Sequence, residues 1–135
     1  MATPLKVNQT LHEINLGRNQ IGDEGAKSFA DALMVNISLQ VMVLHDSNIG
    51  DKGAQSLATS SIVNQSLREV WLNENKIGDK GAEKLADALE SNYIIKKLYL
   101  GVNHISGKMM EKIQTTVDDP SKKLTNELKS SLKQP

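Results

Sequence analysis

Histidine, carboxylate and arginine are the side chains from which this sequence could build a reactive site, and their spacing argues against one. His12, His45 and His104 are far apart, no HExxH pattern occurs, and there is no cysteine. Neighbouring residues therefore supply neither a metal-ligand set nor a thiolate nucleophile. The stretch Gly22-Asp-Glu-Gly-Ala-Lys-Ser28 ends like a phosphate loop, but Ala26 stands where that loop needs glycine and the preceding glycine spacing is wrong. It reads as a turn entering a helix. No serine has a His and Asp arrangement visible in the sequence. The expectation is a non-enzymatic protein with no catalytic residues, no metal site and no cofactor.

Acidic residues such as Glu13 and Glu69 recur because a whole segment recurs, two copies apart, which makes a paired-carboxylate site improbable on spacing alone. Full copies begin at Leu11, Leu39, Leu67 and Ile95, each 28 residues after the last, and Leu5-Lys-Val-Asn8 matches the close of the first full copy, Leu33-Met-Val-Asn36. A fixed period of this length is the signature of a stacked repeat array. The reading is one array over 5–117, with repeats near 11–38, 39–66, 67–94 and 95–117 and a partial repeat before 11. Residues 118–135 form a capping helix or tail with Leu124, Leu128 and Leu132 on one face.

Within each copy the apolar period changes. Val70 and Leu72 alternate as in a strand, whereas Ala82, Leu85, Ala86 and Leu89 fall at helical steps. Between them lies Ile77-Gly78-Asp79, which recurs as Ile21-Gly22-Asp23 and Ile49-Gly50-Asp51. The aspartate is expected to cap the helix that it begins. Gly25, Gly53 and Gly81 are expected to let each helix approach the sheet. Asn19, Asn75 and Asn103 should stack as a ladder that satisfies loop backbone groups. Ser47 interrupts that ladder in the second copy, whose helix also carries Ser60-Ser61 in place of Ala-Leu. Asn8, Asn36 and Asn64 match the glycosylation pattern at the repeat period, and are expected to close helices in a left-handed conformation. The fourth copy has Ser106, Gly107 and Met109 where others have Gly, Asp and Gly.

Charge and composition bound the partners. The 135 residues carry 16 Lys+Arg and 16 Asp+Glu, so no global field draws the chain to nucleic acid or an anionic membrane. The amino terminus lacks a signal-peptide pattern and no run of 18 apolar residues occurs, giving the expectation of a cytoplasmic protein.

Strand alternation leaves rows of residues across the sheet face. Glu13, Val41, Glu69 and Lys97 form one row, and Asn15, Val43, Trp71 and Tyr99 the next. Gly17, His45, Asn73 and Gly101 follow, then Arg18, Asp46, Glu74 and Val102. From these, Val41, Val43, His45, Asp46, Glu69, Trp71, Asn73, Glu74, Lys97 and Tyr99 are the candidate partner-binding residues. An apolar and aromatic stripe beside charges has the make-up of an interaction hot spot.

The pattern LxxLxLxxNxIGDxGAxxLAxAL, carried at Leu11–Leu33 with Ile14 at its second apolar position and at Leu67–Leu89 with Val70 there, resembles ribonuclease-inhibitor-like leucine-rich repeats. Similar repeats occur in NOD-like receptors and Ran GTPase-activating proteins. The resemblance implies an α/β leucine-rich repeat solenoid with a concave parallel sheet and convex helices. It also implies scaffold-like protein binding through the inner face and the loops after the strands. The alternative function that it raises is GTPase activation for a Ran-like small GTPase, with Arg18 as the arginine that would approach phosphate. A third reading is self-association through the N-terminal edge, where Leu5, Val7, Leu11 and Ile14 lack a preceding full repeat.

Overall fold

The computed structural model describes residues 3–120; the Leu124, Leu128 and Leu132 stripe lies outside them. Helices and strands alternate as α1 (Thr3–Val7), β1 (Glu13–Asn15), α2 (Gly22–Leu33), β2 (Val41–Val43), α3 (Asp51–Val63), β3 (Glu69–Trp71), α4 (Asp79–Ser91), β4 (Lys97–Tyr99) and α5 (Gly107–Val117). The strands form one parallel sheet in the order β1-β2-β3-β4. Parallel neighbours need a crossover, and α2, α3 and α4 each supply one. Because every copy has the same length, the register never slips: Ile14 pairs with Met42, Met42 with Val70, and Val70 with Leu98. This is the expected α/β solenoid.

The hydrogen-bond ladder continues past the three-residue strands. Leu16 and Arg18 donate backbone N–H groups to the Val43 and His45 carbonyls, Leu44 and Asp46 to Trp71 and Asn73, and Leu72 and Glu74 to Tyr99 and Gly101. The loop after each strand is thereby held in the same 28-residue register as the sheet.

Burial follows position in the stack as much as residue type. Met42, Leu44, Val70, Leu72, Ile49 and Ile77 are fully buried against Leu57, Leu85 and the helix alanines. Ile14 and Leu16, which hold the corresponding places in the first copy, stay half-exposed, as does Leu98 in the last. Each copy is covered by its neighbours, so an end copy lacks half its cover.

Two asparagine ladders tie the copies together. Asn75 Nδ2 donates to the Leu44 and Leu72 carbonyls at 3.0 Å each, and its Oδ1 accepts from Ser47 and Ile49 N–H. Asn103 repeats the donations to Leu72 and Leu100. In the second copy Ser47 reaches Leu16 O only at 3.4 Å, so the ladder is thinnest there. At the opposite edge, Asn36 Nδ2 donates to Leu5 O and Asn8 O, and Asn64 Nδ2 to Leu33 O and Asn36 O.

Three local expectations are corrected. Asn64 and Asn92, at the ends of α3 and α4, are extended at φ −67° and −103° with ψ above 100°, not left-handed; their Oδ1 atoms take the N–H groups two and three residues on. The aspartates make no side-chain cap bond to the helices that they begin. Asp23 Oδ1 accepts instead from Gly50 and Gly53, and Asp51 Oδ1 from Gly78 and Gly81, each in the following helix. Gly53 and Gly81 serve helix-to-helix approach instead of helix-to-sheet, whereas a Cβ on Gly25 would meet only Ile21. A Cβ on Gly81 would stand 2.7 Å from Asp51 Oδ1, 3.0 Å from Asp51 Cα and 3.1 Å from Ala54 Cβ.

Candidate functional site

The face opposite the helices is built by side chains at strand positions that alternate with the buried Met42 and Val70 and the half-buried Leu98. β3 and β4 put Trp71 and Tyr99 directly opposite each other. Their rings lie 4.2 Å apart between centroids, tilted by 39°, close enough for an attractive aromatic pair. Two residues back on the same face, Glu69 Oε1 accepts a 2.6 Å hydrogen bond from Trp71 Nε1. The indole is therefore held by stacking on one side and by a carboxylate at its polar edge. Tyr99 is 36% exposed, and Trp71 and Glu69 are half-buried.

Val41 is half-buried between Glu13 and Glu69, and Lys97 is exposed beyond Glu69. Val43 departs from the expectation of an exposed stripe. It is 8% exposed, because its short side chain sits between the longer ones of Asn15 and Trp71 on the adjoining strands. It acts as packing beside Trp71.

The next row explains its own glycine. A Cβ on Gly17 would fall 2.1 Å from His45 Cε1 and 2.3 Å from Nδ1, so the missing side chain makes room for the imidazole. His45 is half-buried there, and its Nδ1 is shielded from solvent without a hydrogen-bond partner, as is Asn73 Oδ1 on the adjoining strand. Two unpaired, shielded polar atoms in one row are costly to keep.

Arg18, Asp46, Glu74 and Val102 share a conformation that their types do not announce. Their φ angles are +60°, +48°, +57° and +55°, in the left-handed region that non-glycine residues seldom occupy. All four are exposed, Val102 at 80%. The turn between strand and asparagine ladder requires this backbone, whichever residue stands there. Two cationic groups beside the face escape a reading confined to strand alternation: Arg68 and Lys96, exposed and just before β3 and β4. With Lys97 they place positive charge at the strand starts, while Asp46 and Glu74 place negative charge at the strand ends. The only signal for Arg68 and Lys96 is the repeat register itself.

The histidines are held apart. His12 Nδ1 lies 3.2 Å from Ser38 O, and His104 bridges to Gly78 in the ladder. Among the described residues no group of three or more His, Asp or Glu is arranged to hold a metal ion.

The sequence profile described as "Leucine Rich repeat" matches residues 7–30, 35–58 and 63–86, more than half of the chain. The chain belongs to the leucine-rich repeat family. As a leucine-rich repeat solenoid it is similar to the solved structure "Leiomodin-1 Actin-Binding Site 2 (ABS2)", with 24% identity and a TM-score of 0.76 over 83% of this chain and 67% of that one. It is also similar to the tropomodulin C-terminal domain of Caenorhabditis elegans, with 14% identity and a TM-score of 0.59 over 93% and 94% of the two chains. At these identities the likeness shows a shared fold. No curated protein sequence matches the chain. No described helix is long and apolar enough to cross a membrane.

Proposed function

We propose that this leucine-rich repeat chain is a non-enzymatic protein-binding module that captures its partner on the concave face around Trp71 and Tyr99. The observation that carries the reading is the pre-ordered ring pair with Glu69 fixing the indole. An aromatic group whose rotamer is set before binding loses little freedom when a partner arrives, and tryptophan and tyrosine are the side chains most often found at binding hot spots. Charge of both signs within one face supports a protein partner of mixed charge over nucleic acid or a membrane surface. Arg68, Lys96 and Lys97 would meet acidic groups, and Asp46 and Glu74 basic ones.

The fold-level likeness to a domain named for actin binding makes actin the first partner to test. Trp71 is the sole tryptophan, so its emission reports on the site without a label. Titration with actin should change that emission saturably, and a Trp71→Ala/Tyr99→Ala double variant, followed by sedimentation with actin, should lose affinity by more than about thirtyfold. A folded double variant that binds as well as the parent would move the site elsewhere. If actin fails to bind the parent, the partner is a different protein and the double variant becomes the control for finding it.

A further inference from the structure

A second surface lies at the helix C-termini, on the edge marked by Asn36 and Asn64. Three of its exposed side chains are far from shielded: Val7 at 77%, Val35 at 54% and Ile37 at 76%, with Met34, Ile62 and Val63 half-exposed beside them. They form one patch because the asparagine ladder joins the copies that carry them. Asn36 Nδ2 bonds Asn8 O at 2.8 Å, Asn64 Nδ2 bonds Asn36 O at 3.0 Å, and Gln9 Oε1 accepts the Ile37 N–H. Val7, Val35 and Val63 each directly precede a ladder asparagine, so they follow one another along the edge.

We infer that this edge is the contact between two copies of the chain, related by a two-fold axis. One row decides the occupant. At 28-residue steps it reads Lys6, Met34, Ile62, Glu90 and Asp118, all solvent-accessible: a cation, two apolar groups and two anions. Its first four members are complementary to themselves reversed, as an isologous contact requires, and Asp118 lies past the end of that overlap. Turned about an axis between Met34 and Ile62, Lys6 faces Glu90 of the partner subunit, and Met34 faces Ile62 of the partner subunit. Size agrees. The six apolar side chains expose on the order of 500–600 Å² per copy, at the top of the range for the largest patch on a monomer, and two copies together reach about the 1,200 Å² at which stable interfaces begin. The concave face remains open in such a dimer, so the two-fold presents two Trp71–Tyr99 sites.

Sedimentation equilibrium of the full chain from micromolar to millimolar concentration tests this. A monomer–dimer equilibrium is expected. Val35→Asp, at an exposed position, should weaken it by about a hundredfold because the two-fold counts each change twice, and Ile37→Asp should do the same where Val35→Asp disturbs folding by circular dichroism. Lys6→Glu should weaken the dimer by about tenfold, and Glu90→Lys added to it should restore most of that loss, since the pair is exchanged and not removed. A parent chain that stays monomeric at millimolar concentration overturns the inference. So does a folded aspartate variant that dimerises like the parent, or a charge-exchanged double variant no better than Lys6→Glu alone.

Discussion

One oxygen of Asp51 accepts hydrogen bonds from the backbone N–H of Gly78 at 2.7 Å and of Gly81 at 3.0 Å, closing the first turn of a helix that belongs to the next copy. An N-terminal cap normally comes from the helix's own flanking residues. Here a neighbour supplies it, so helix capping and copy-to-copy cohesion are the same interaction. Asp23 does this for Gly50 and Gly53, whereas exposed Asp79 reaches only Ser106 N–H, because Ser106 caps its own helix through Met109 N–H. Asp51→Ala should cost about 2–3 kcal/mol, two charge-assisted bonds partly discounted for solvent, and Asp79→Ala about 1 kcal/mol. Urea unfolding followed by far-ultraviolet circular dichroism measures both. Equal losses would mean that the bond to the second glycine contributes nothing.

This arrangement also marks how far the sequence could be read. Strand order, register and the Trp71–Tyr99 juxtaposition follow from a constant 28-residue spacing, because apolar side chains and equal lengths leave one way to stack. The copy that Asp51 serves does not follow. In a periodic chain, position i and position i+28 have the same surroundings in sequence, so a cap on its own helix and a cap on the next look identical. Val43 was misplaced for a different reason: alternation assigns a face, while exposure depends on how far the neighbouring side chains project. The left-handed turn row was invisible because arginine, glutamate and valine carry no mark of positive φ. Reduced cover at Ile14 is legible, since no full repeat precedes it, whereas Leu5, expected at the same uncovered edge, is buried at 5% exposure with its carbonyl bonded by Asn36.

Gly81→Ala should destabilise despite alanine's better helix propensity. Its Cβ would meet backbone at Asp51 Cα and the Asp51 oxygen that caps the turn, and neither can retreat without breaking the cap. A loss of about 2 kcal/mol is expected, within the range for overpacking. Gly107→Ala provides the contrast. It sits at the start of α5 with no atom within 4 Å of its added Cβ, so propensity alone applies and a gain of up to about 0.5 kcal/mol is expected. Thermal melts of the pair should move in opposite directions; a stabilised Gly81→Ala would refute the close approach of α3 and α4.

Val102→Gly should stabilise the fold. A branched residue at φ +55° carries a backbone penalty of roughly 1–2 kcal/mol, and its exposed side chain offers little burial in return. Part of the relief is lost to glycine's greater freedom when unfolded, leaving a net gain of about 0.5–1 kcal/mol. Asp46→Gly should gain less, since aspartate tolerates the left-handed region better. Chemical denaturation ranks the two, and a larger gain at Asp46 would contradict the conformational argument.

Ser61 leaves the core underfilled. Leu33 and Leu89 occupy the same place in the adjoining copies, and both are fully buried. Between them the Ser61 hydroxyl turns back to bond Leu57 O at 2.8 Å, and a cavity of about 20 Å³ lies among Leu33, Met42, Leu57, Leu67, Leu85 and Leu89. That volume would admit one water, but an almost wholly aliphatic wall gives water too few partners. Restoring the repeat's own residue with Ser61→Leu removes a buried hydroxyl and adds apolar contact. The gain should be about 1 kcal/mol, the transfer benefit less the cost of fitting a side chain larger than the cavity. Ser61→Ala, which requires no such adjustment, should gain about half as much through helix propensity. If calorimetry shows Ser61→Ala raising the melting temperature and Ser61→Leu lowering it, the copies are already packed too tightly for a third stacked leucine, and the serine is there to let α3 sit close to its neighbours.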